Sequence, residues 1–343
     1  MTTLAERVVD TSGARDAAVR AAPAKAMRAA VVTQPSVCEV REVPVPLPRP
    51  NEIRVKLEGC GVCASNIPPW EGREWFKYPL APGQLGHEAW GVVDEVGHDV
   101  SGFAIGDRVA MLSDNAYAEY DCTREDRAVP LPPELAGQPF PAEPLGCAIN
   151  IFKRSGVRPG QTVAIIGIGF LGALLTKLAE GINARVIAIS RRPFSLEVAR
   201  RMGAAHVITM DDHCRIIEEV RQLTGGQFCE TVIEAVGKQW PLDLAGEITR
   251  ERGRLVVAGY HQDGPRQINM QLWNWRGIDV INAHERDPKV YLSGMREAVE
   301  AVACGRIDPA PLYTHRFSLE QLGDALDMTR DRPDGFLKAL VMM

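Results

Sequence analysis

The run TVAIIGIGFLGALL, residues 162–175, constrains the fold more than any other stretch of the chain. Gly167, Gly169 and Gly172 stand as G-x-G-x-x-G, with Phe170 and Leu171 as spacers, after an apolar strand and at the start of a helical pattern. In such a turn the first glycine permits the tight bend and the second lets a pyrophosphate approach the backbone. The third lets the helix pack closely on the strand, and the free N–H groups of the helix attract phosphate. A glycine triplet alone often does no more than join two elements. Here the rhythm continues with the helical FLGALLTKLAEG, the strand ARVIAIS, the helical PFSLEVARRMGA, the strand HVITM, and then ETVIEAVG and GRLVVAGY. Apolar strands alternating with helices predict parallel β-α-β units covered on both faces. The expected class is α/β with a doubly wound parallel sheet, and the turn reads as a dinucleotide site.

The end of the second strand sharpens that reading. A carboxylate there would accept the ribose 2′-hydroxyl of NAD, but ARVIAIS ends at Ser190, followed by Arg191 and Arg192. Removing the carboxylate removes repulsion against a 2′-phosphate, and two guanidiniums offer forked donors to it. The expectation is NADP(H) in preference to NAD(H); the plain alternative is that both arginines are solvated residues at a helix start.

The half before this module is different. From Met27 to Pro144 the signals are short β runs such as AAVVT, EIRVKLEG and AWGVVDEVG, broken by PVPLPRP and YPLAPG, which predicts an irregular β-rich domain. A chain of 343 residues divides naturally into two domains. Its net charge of −5 offers no electrostatic footprint for nucleic acid or an anionic membrane, so small-molecule chemistry is the expectation. Eight scattered cysteines in a chain this long predict reduced thiols and a cytoplasmic location. The Ala/Arg-rich residues 1–26 lack a continuous apolar stretch and read as an extension.

Within the β-rich half lie Cys63 in GCGVCASN, His87 and Glu88 in GHE, and Glu143 and Cys147 in EPLGC. Thiolate, imidazole and carboxylate are the ligand types zinc prefers, and a catalytic site needs about three of them with one position open. Each has a duller reading by itself: a small core thiol, a loop histidine, a solvated acid.

Taken together, GCGVCASN, GHEAWGVVDEVG, GDRVA, AYAEY, EPLGCA, VAIIGIGFLG and the late THRFSLE resemble the zinc-dependent alcohol and polyol dehydrogenases of the medium-chain dehydrogenase/reductase superfamily, from Met27 to Met343. The resemblance implies a Rossmann domain over 146–283 and a GroES-like catalytic domain over 27–145 and 284–343. It implies one catalytic zinc on Cys63 and His87, with Glu88 or Glu143 near the metal, and Ser65 as the hydroxyl that starts a proton relay. Pro68 stands where the next relay member is often a histidine. Asn66 replaces the usual aspartate that orients the zinc-bound histidine; an amide keeps the orientation without the charge, and weaker metal binding is expected. Between Gly106 and Tyr120 there is no cysteine, so no structural zinc lobe is expected. Lys338 matches the family's basic contact to the pyrophosphate, with a solvated lysine as the alternative. Cys147 reads as a small buried residue, although it stands close enough in sequence to Glu143 to approach the metal. Trp70, Trp75, Phe76 and Tyr78 are either substrate-pocket wall or core.

The implied activity is interconversion of a secondary alcohol or polyol with its ketone, using zinc and a nicotinamide coenzyme, in a homodimer or homotetramer paired through WRGIDVINA. Two alternatives stay open: a zinc-free enone or quinone reductase of the same superfamily, and a non-catalytic nicotinamide-nucleotide-binding protein.

Overall fold

The computed structural model describes residues 25–343. The extension expected over 1–26 lies outside the described residues except for Lys25 and Ala26, and Ala26 already opens the first strand. β1 (Ala26–Gln34) and β2 (Val37–Pro44) pair as an antiparallel hairpin. β3 (Glu52–Gly61) follows, and the short helix α1 (Ile67–Glu71) separates it from β4 (Glu88–Val96), β5 (Arg108–Leu112), β6 (Tyr120–Arg124) and β7 (Ala128–Pro130). Pairing among these strands is antiparallel. Alternation of buried and exposed residues, as in the EIRVKLEGCG of β3, turns one face to a core containing Ile53, Val55 and Leu57.

Helix α2 (Ala142–Ser155) leads into the parallel module: β8 (Thr162–Ile166), α3 (Phe170–Glu180), β9 (Arg185–Ser190), α4 (Pro193–Arg201), β10 (His206–Thr209) and α5 (His213–Leu223). β11 (Cys229–Glu234), α6 (Gln239–Glu247), β12 (Thr249–Val257), α7 (Met270–Arg276) and β13 (Asp279–Asn282) complete it. The six strands lie in the order β10-β9-β8-β11-β12-β13, all parallel. This is a doubly wound sheet whose order reverses between β8 and β11, and ligands of such sheets bind beyond the carboxyl ends of the strands at that reversal. Val163, Ala164, Ile165 and Ile166 of β8 are fully buried, as the near-continuous apolar run required. Each Val or Ile contributes about 1.5–3 kcal/mol relative to exposure.

Helix α8 (Pro288–Ala303) returns the chain to the first sheet, where β14 (His315–Ser318), α9 (Leu322–Asp331) and β15 (Ala339–Met342) end it. β15 runs antiparallel to β3, with Leu340 opposite Gly61, and parallel to β14. The C-terminal strand therefore lies directly beside the strand that leads to Cys63.

The glycine turn has two kinds of constraint. Gly167 has φ +95°, and a Cβ there would strike Val236; a Cβ on Gly172 would strike the Gly167 carbonyl oxygen. A Cβ on Gly169 would meet nothing within 4 Å and would point into open space. Gly172→Ala is expected to lower stability by about 1–3 kcal/mol through overpacking. Gly169→Ala is expected to stay within about 0.5 kcal/mol of the parent. Urea unfolding midpoints compare the two; equal losses would show that the turn is uniformly packed.

Candidate active site

The end of β3 builds the first wall of the site. Cys63 leaves the strand with extended backbone, φ −93° and ψ 147°, and its carbonyl closes a single turn over Ala64–Asn66 by accepting from the Asn66 N–H at 3.0 Å. Glu88, the first residue of β4, sits opposite Gly61 in the ladder, and its carboxylate occupies the place where a Gly61 side chain would be. The close approach of that carboxylate requires glycine. His87 stands immediately before β4, so strand pairing alone delivers sulfur, imidazole and carboxylate to one spot.

Ligand atoms of Cys63, His87 and Glu88 lie within 4.8 Å of one another; the first two residues are half-buried and Glu88 is fully buried. Glu88 Oε1 accepts a hydrogen bond from Lys338 Nζ at 2.6 Å. Its Oε2 lies 2.5 Å from the same nitrogen but has no hydrogen-bond partner. A buried carboxylate next to a thiol and an imidazole is a donor set that fits a borderline-soft divalent metal. Electrostatics agree. Burial would lower the pKa of His87, but its bond to Cys63 and the negative charges of Cys63, Glu143 and Glu88 raise it to about 10. The site favours a positive charge at its centre.

Glu143, in the first turn of α2, is buried but does not join this trio. Its Oε1 accepts from the Tyr291 hydroxyl at 2.7 Å and from the Cys147 thiol at 3.4 Å. Burial pushes the Glu143 carboxyl up, with the Glu88 charge adding to it, while His87, Tyr291 and Lys338 pull the other way. Cys147 also lies 2.9 Å from the Tyr291 hydroxyl. Its thiol is held up by burial and by the Glu143 charge, so Cys147 belongs to the Glu143 cluster rather than to the metal group. Tyr291, on α8, has no local sequence signal; it reaches the site only because α8 packs along α2.

Lys338 corrects one expectation. It is neither solvated nor free to extend toward a phosphate: it is buried just before β15, donates to the Val62 carbonyl at 3.0 Å and pairs with Glu88. Burial opposes its charge, and the charges of Glu88 and Cys63 more than restore it.

Asn66 corrects another. It makes no hydrogen bond to His87. Its Nδ2 donates to the Leu85 carbonyl at 3.0 Å, the same oxygen that His87 Nδ1 meets at 2.8 Å. Its Oδ1 accepts from the Tyr117 hydroxyl at 2.9 Å and from the Cys63 N–H at 3.3 Å. Leu85 has φ +85°, a conformation costly for a branched residue, which the surrounding bonds sustain. His87 is thus oriented by a backbone carbonyl that accepts from Nδ1 and leaves Nε2 for the Cys63 side.

The aromatic cluster divides. Trp70 is core and donates to Asp327 at 2.8 Å; the Tyr78 hydroxyl donates to the Pro69 carbonyl. Trp75 is 60% exposed, with Phe76 beside it at a ring separation of 6.0 Å. Ser65 is half-buried, one residue before Asn66.

At the coenzyme end, Gly167, Gly169 and Gly172 form the turn between β8 and α3, Phe170 is the first helical residue and Leu171 the next. The open space beyond Gly169 fits the backbone approach of a pyrophosphate. Ser190 ends β9, and its Oγ accepts from the Arg192 N–H at 3.4 Å. Arg191 is exposed, while Arg192 donates to the Phe336 carbonyl at 2.5 Å across the cleft. Burial, and then the charges of Arg332 and Arg191, lower the pKa of Arg192, so three guanidiniums share this corner. Arg332 carries no signal in the local sequence.

Comparison with known proteins places this geometry. A family description for the alcohol dehydrogenase GroES-like domain matches residues 49–138, and one for zinc-binding dehydrogenases matches residues 171–301. Sorbitol dehydrogenase of Bacillus subtilis is 26% identical, over 92% of this chain and 97% of the relative. Alcohol dehydrogenase 2 of Caenorhabditis elegans is 31% identical, over 66% of this chain and 73% of the relative. Among solved structures, a protein described as a zinc-binding dehydrogenase of Sinorhizobium meliloti, bound to NADP, superposes with a TM-score of 0.81 at 25% identity, covering 93% of this chain and 100% of that one.

The Asn66 geometry gives a prediction against simple restoration of charge. Asn66→Asp replaces the donor facing Leu85 with an acceptor, so two oxygens oppose each other in a buried place. Zinc affinity, measured by competition with a chromophoric chelator, is expected to fall by about tenfold or more, the size of effects from groups behind a ligand. Tighter binding would show that the carboxylate turns to reach His87.

Proposed function

Because this chain belongs to the medium-chain dehydrogenase/reductase superfamily, in its zinc-binding alcohol dehydrogenase-like branch, we propose that it interconverts a secondary alcohol or polyol with its ketone. One observation carries the reading. Lys338 touches Glu88 of the metal trio with its ammonium and faces the ring of Phe170, in the coenzyme turn, at 5.2 Å. Metal-ligand chemistry and the dinucleotide turn thus share one cleft, as hydride transfer to a metal-polarised carbonyl requires.

Cys63, His87 and Glu88 would hold the zinc, with Glu143 beside them. When bound, zinc supplies Lewis-acid polarisation of the substrate oxygen, and the nicotinamide coenzyme supplies or accepts the hydride. Ser65, by the family resemblance, would pass the hydroxyl proton away from the substrate, onward to water or the coenzyme ribose because Pro68 offers no proton-carrying group. Tyr291, by donating to Glu143 Oε1, orients that carboxyl beside the site. Leu85 and Asn66 hold His87. A polyol or secondary alcohol is favoured by the sorbitol dehydrogenase relative and by the carboxylate-rich surroundings of the trio.

For the coenzyme we propose NADP(H) in preference to NAD(H). Ser190 presents no carboxylate, and burial followed by neighbouring guanidinium charge lowers the pKa of both Arg192 and Arg332 at the end of β9. A 2′-phosphate would relieve that crowding. Arg192 is half-buried against the Phe336 carbonyl, whereas Arg191 and Arg332 are exposed, so those two are the donors proposed for the phosphate. Location in the cytoplasm and assembly as a homodimer or homotetramer through the edge strand β13 complete the proposal. Support comes from eight free thiols, from the absence of a membrane-crossing helix among the described residues, and from exposed Trp275 and Val280 near that edge.

Two outcomes are expected. Cys63→Ser removes a soft ligand and should lower both zinc content and turnover while the variant still binds coenzyme. Less than about a tenth of an equivalent of zinc in the parent enzyme, with activity indifferent to chelators, would point to the zinc-free reductase instead; coenzyme binding without turnover on a broad alcohol and ketone panel would point to a non-catalytic protein. Arg191→Ala combined with Arg332→Ala should reduce the NADP-to-NAD ratio of kcat/KM by about tenfold, since one charge-assisted bond contributes ~1.5–3 kcal/mol. The assay is run at fixed ionic strength because exposed charges are screened. An unchanged ratio would assign the arginines to solvent.

A further inference from the structure

The residue after the second glycine of the turn is aromatic, and its surroundings suit more than helix packing. Phe170 is 8% exposed. Its ring stacks on Tyr313 at a centroid separation of 5.8 Å and an interplanar angle of 23°, and the Lys338 ammonium stands 5.2 Å from the ring centroid. Among the described residues Lys338 bonds only to Glu88 and to the Val62 carbonyl. An ammonium has three donors and, once buried, gains most from an aromatic face because no water competes. The Tyr313 hydroxyl on the far side of the stack is buried and has no partner among the described residues.

From this juxtaposition we infer that Phe170 couples the coenzyme site to the metal site: it positions Lys338, and through Lys338 the Glu88 carboxylate. Phe170 belongs to both sites. As the first residue of α3 its backbone N–H is among the free donors that a pyrophosphate meets, and its ring is one wall of the Lys338 pocket. Both Glu88 oxygens face the Lys338 ammonium, so a metal bound to Glu88 would compete with Lys338 for the carboxylate. A coenzyme that shifts Phe170 changes how firmly Lys338 holds the carboxylate. That is a differential interaction between two bound states, which is what coupling requires. Reciprocity then makes the metal alter coenzyme affinity by the same factor. Phe170 is a positioning residue, not a catalytic one.

The inference rests on the zinc reading above, and its test separates the two. Co²⁺ affinity is measured by chelator competition, and the visible absorption of the Co²⁺ form is recorded, without coenzyme and at saturating NADP⁺ and, separately, NAD⁺. The parent protein is expected to change its Co²⁺ affinity about fivefold or more when either coenzyme is bound, with a shifted absorption band. Phe170→Leu should bind metal and coenzyme singly, yet couple them by less than about twofold; Phe170→Tyr, which keeps the ring, should restore the coupling. Phe170→Met preserves volume and serves if the leucine variant fails to fold. No metal uptake by the parent overturns the zinc reading and this inference with it. Metal uptake with coupling below about twofold in the parent, or undiminished coupling in both Phe170→Leu and Phe170→Met, overturns this inference and leaves the zinc reading standing.

Discussion

A buried ion pair between Lys338 and Glu88 joins the parts of this molecule. Burying an ammonium and a carboxylate costs several kcal/mol per ion before their attraction is counted, and a pair of this kind is rarely an economical source of stability. Its value here is positional. Lys338 immediately precedes β15, the last strand, and β15 finds its place by pairing with β3; Glu88 opens β4, on the other side of β3. Three strands must therefore be in register before the pair can form, and once formed it fixes the carboxylate beside Cys63 and His87. A residue of the last segment, Lys338, is in this way part of a site whose trio Cys63, His87 and Glu88 lies far earlier in the chain.

The balance of charge around that pair explains what the site can hold. Cys63, Glu143 and Glu88 surround His87, and their influence raises its pKa despite its burial; Glu88 and Cys63 do the same for Lys338. Such surroundings favour a positive charge. A divalent cation held by thiolate, imidazole and carboxylate would supply one, and would stabilise the native state by mass action as any ligand selective for that state does. The electrostatics and the donor chemistry therefore point to the same kind of ligand.

Much of this was legible in the sequence, because the signals were periodic or local. The strand-helix rhythm from Thr162 to Val257 corresponds to the parallel sheet and its strand order, and the glycine turn lies where the apolar strand meets α3. Cys63, His87 and Glu88 converge because two strands flank them in register, a local consequence of β pairing. What could not be read depended on distant segments. Tyr291 meets Glu143 through helix packing, Arg332 meets Arg192 through the return of the chain after α9, and Lys338 turns inward instead of toward solvent. Asn66 shows a subtler limit. Spacing identified it as a group behind the metal ligands, but only the folded backbone reveals that its amide addresses a carbonyl and not the imidazole.

That carbonyl changes what the substitution of an acid by an amide means. An aspartate behind a histidine ligand would orient the ring and lend it charge, two effects that cannot be separated in the sequence. In this protein orientation comes from the Leu85 carbonyl, in a backbone conformation held by bonds from Asn66 and His87, and the amide is needed because it must donate on one side while accepting on the other. A carboxylate can do only the second. Asn66 is therefore better understood as part of a site organised around neutral dipoles, with its negative charge concentrated on Cys63, Glu88 and Glu143, than as a weakened copy of a charged one. With the support behind His87 neutral, Lys338 is the cation that both Glu88 oxygens face, and the Phe170 ring at the glycine turn stands 5.2 Å from that ammonium.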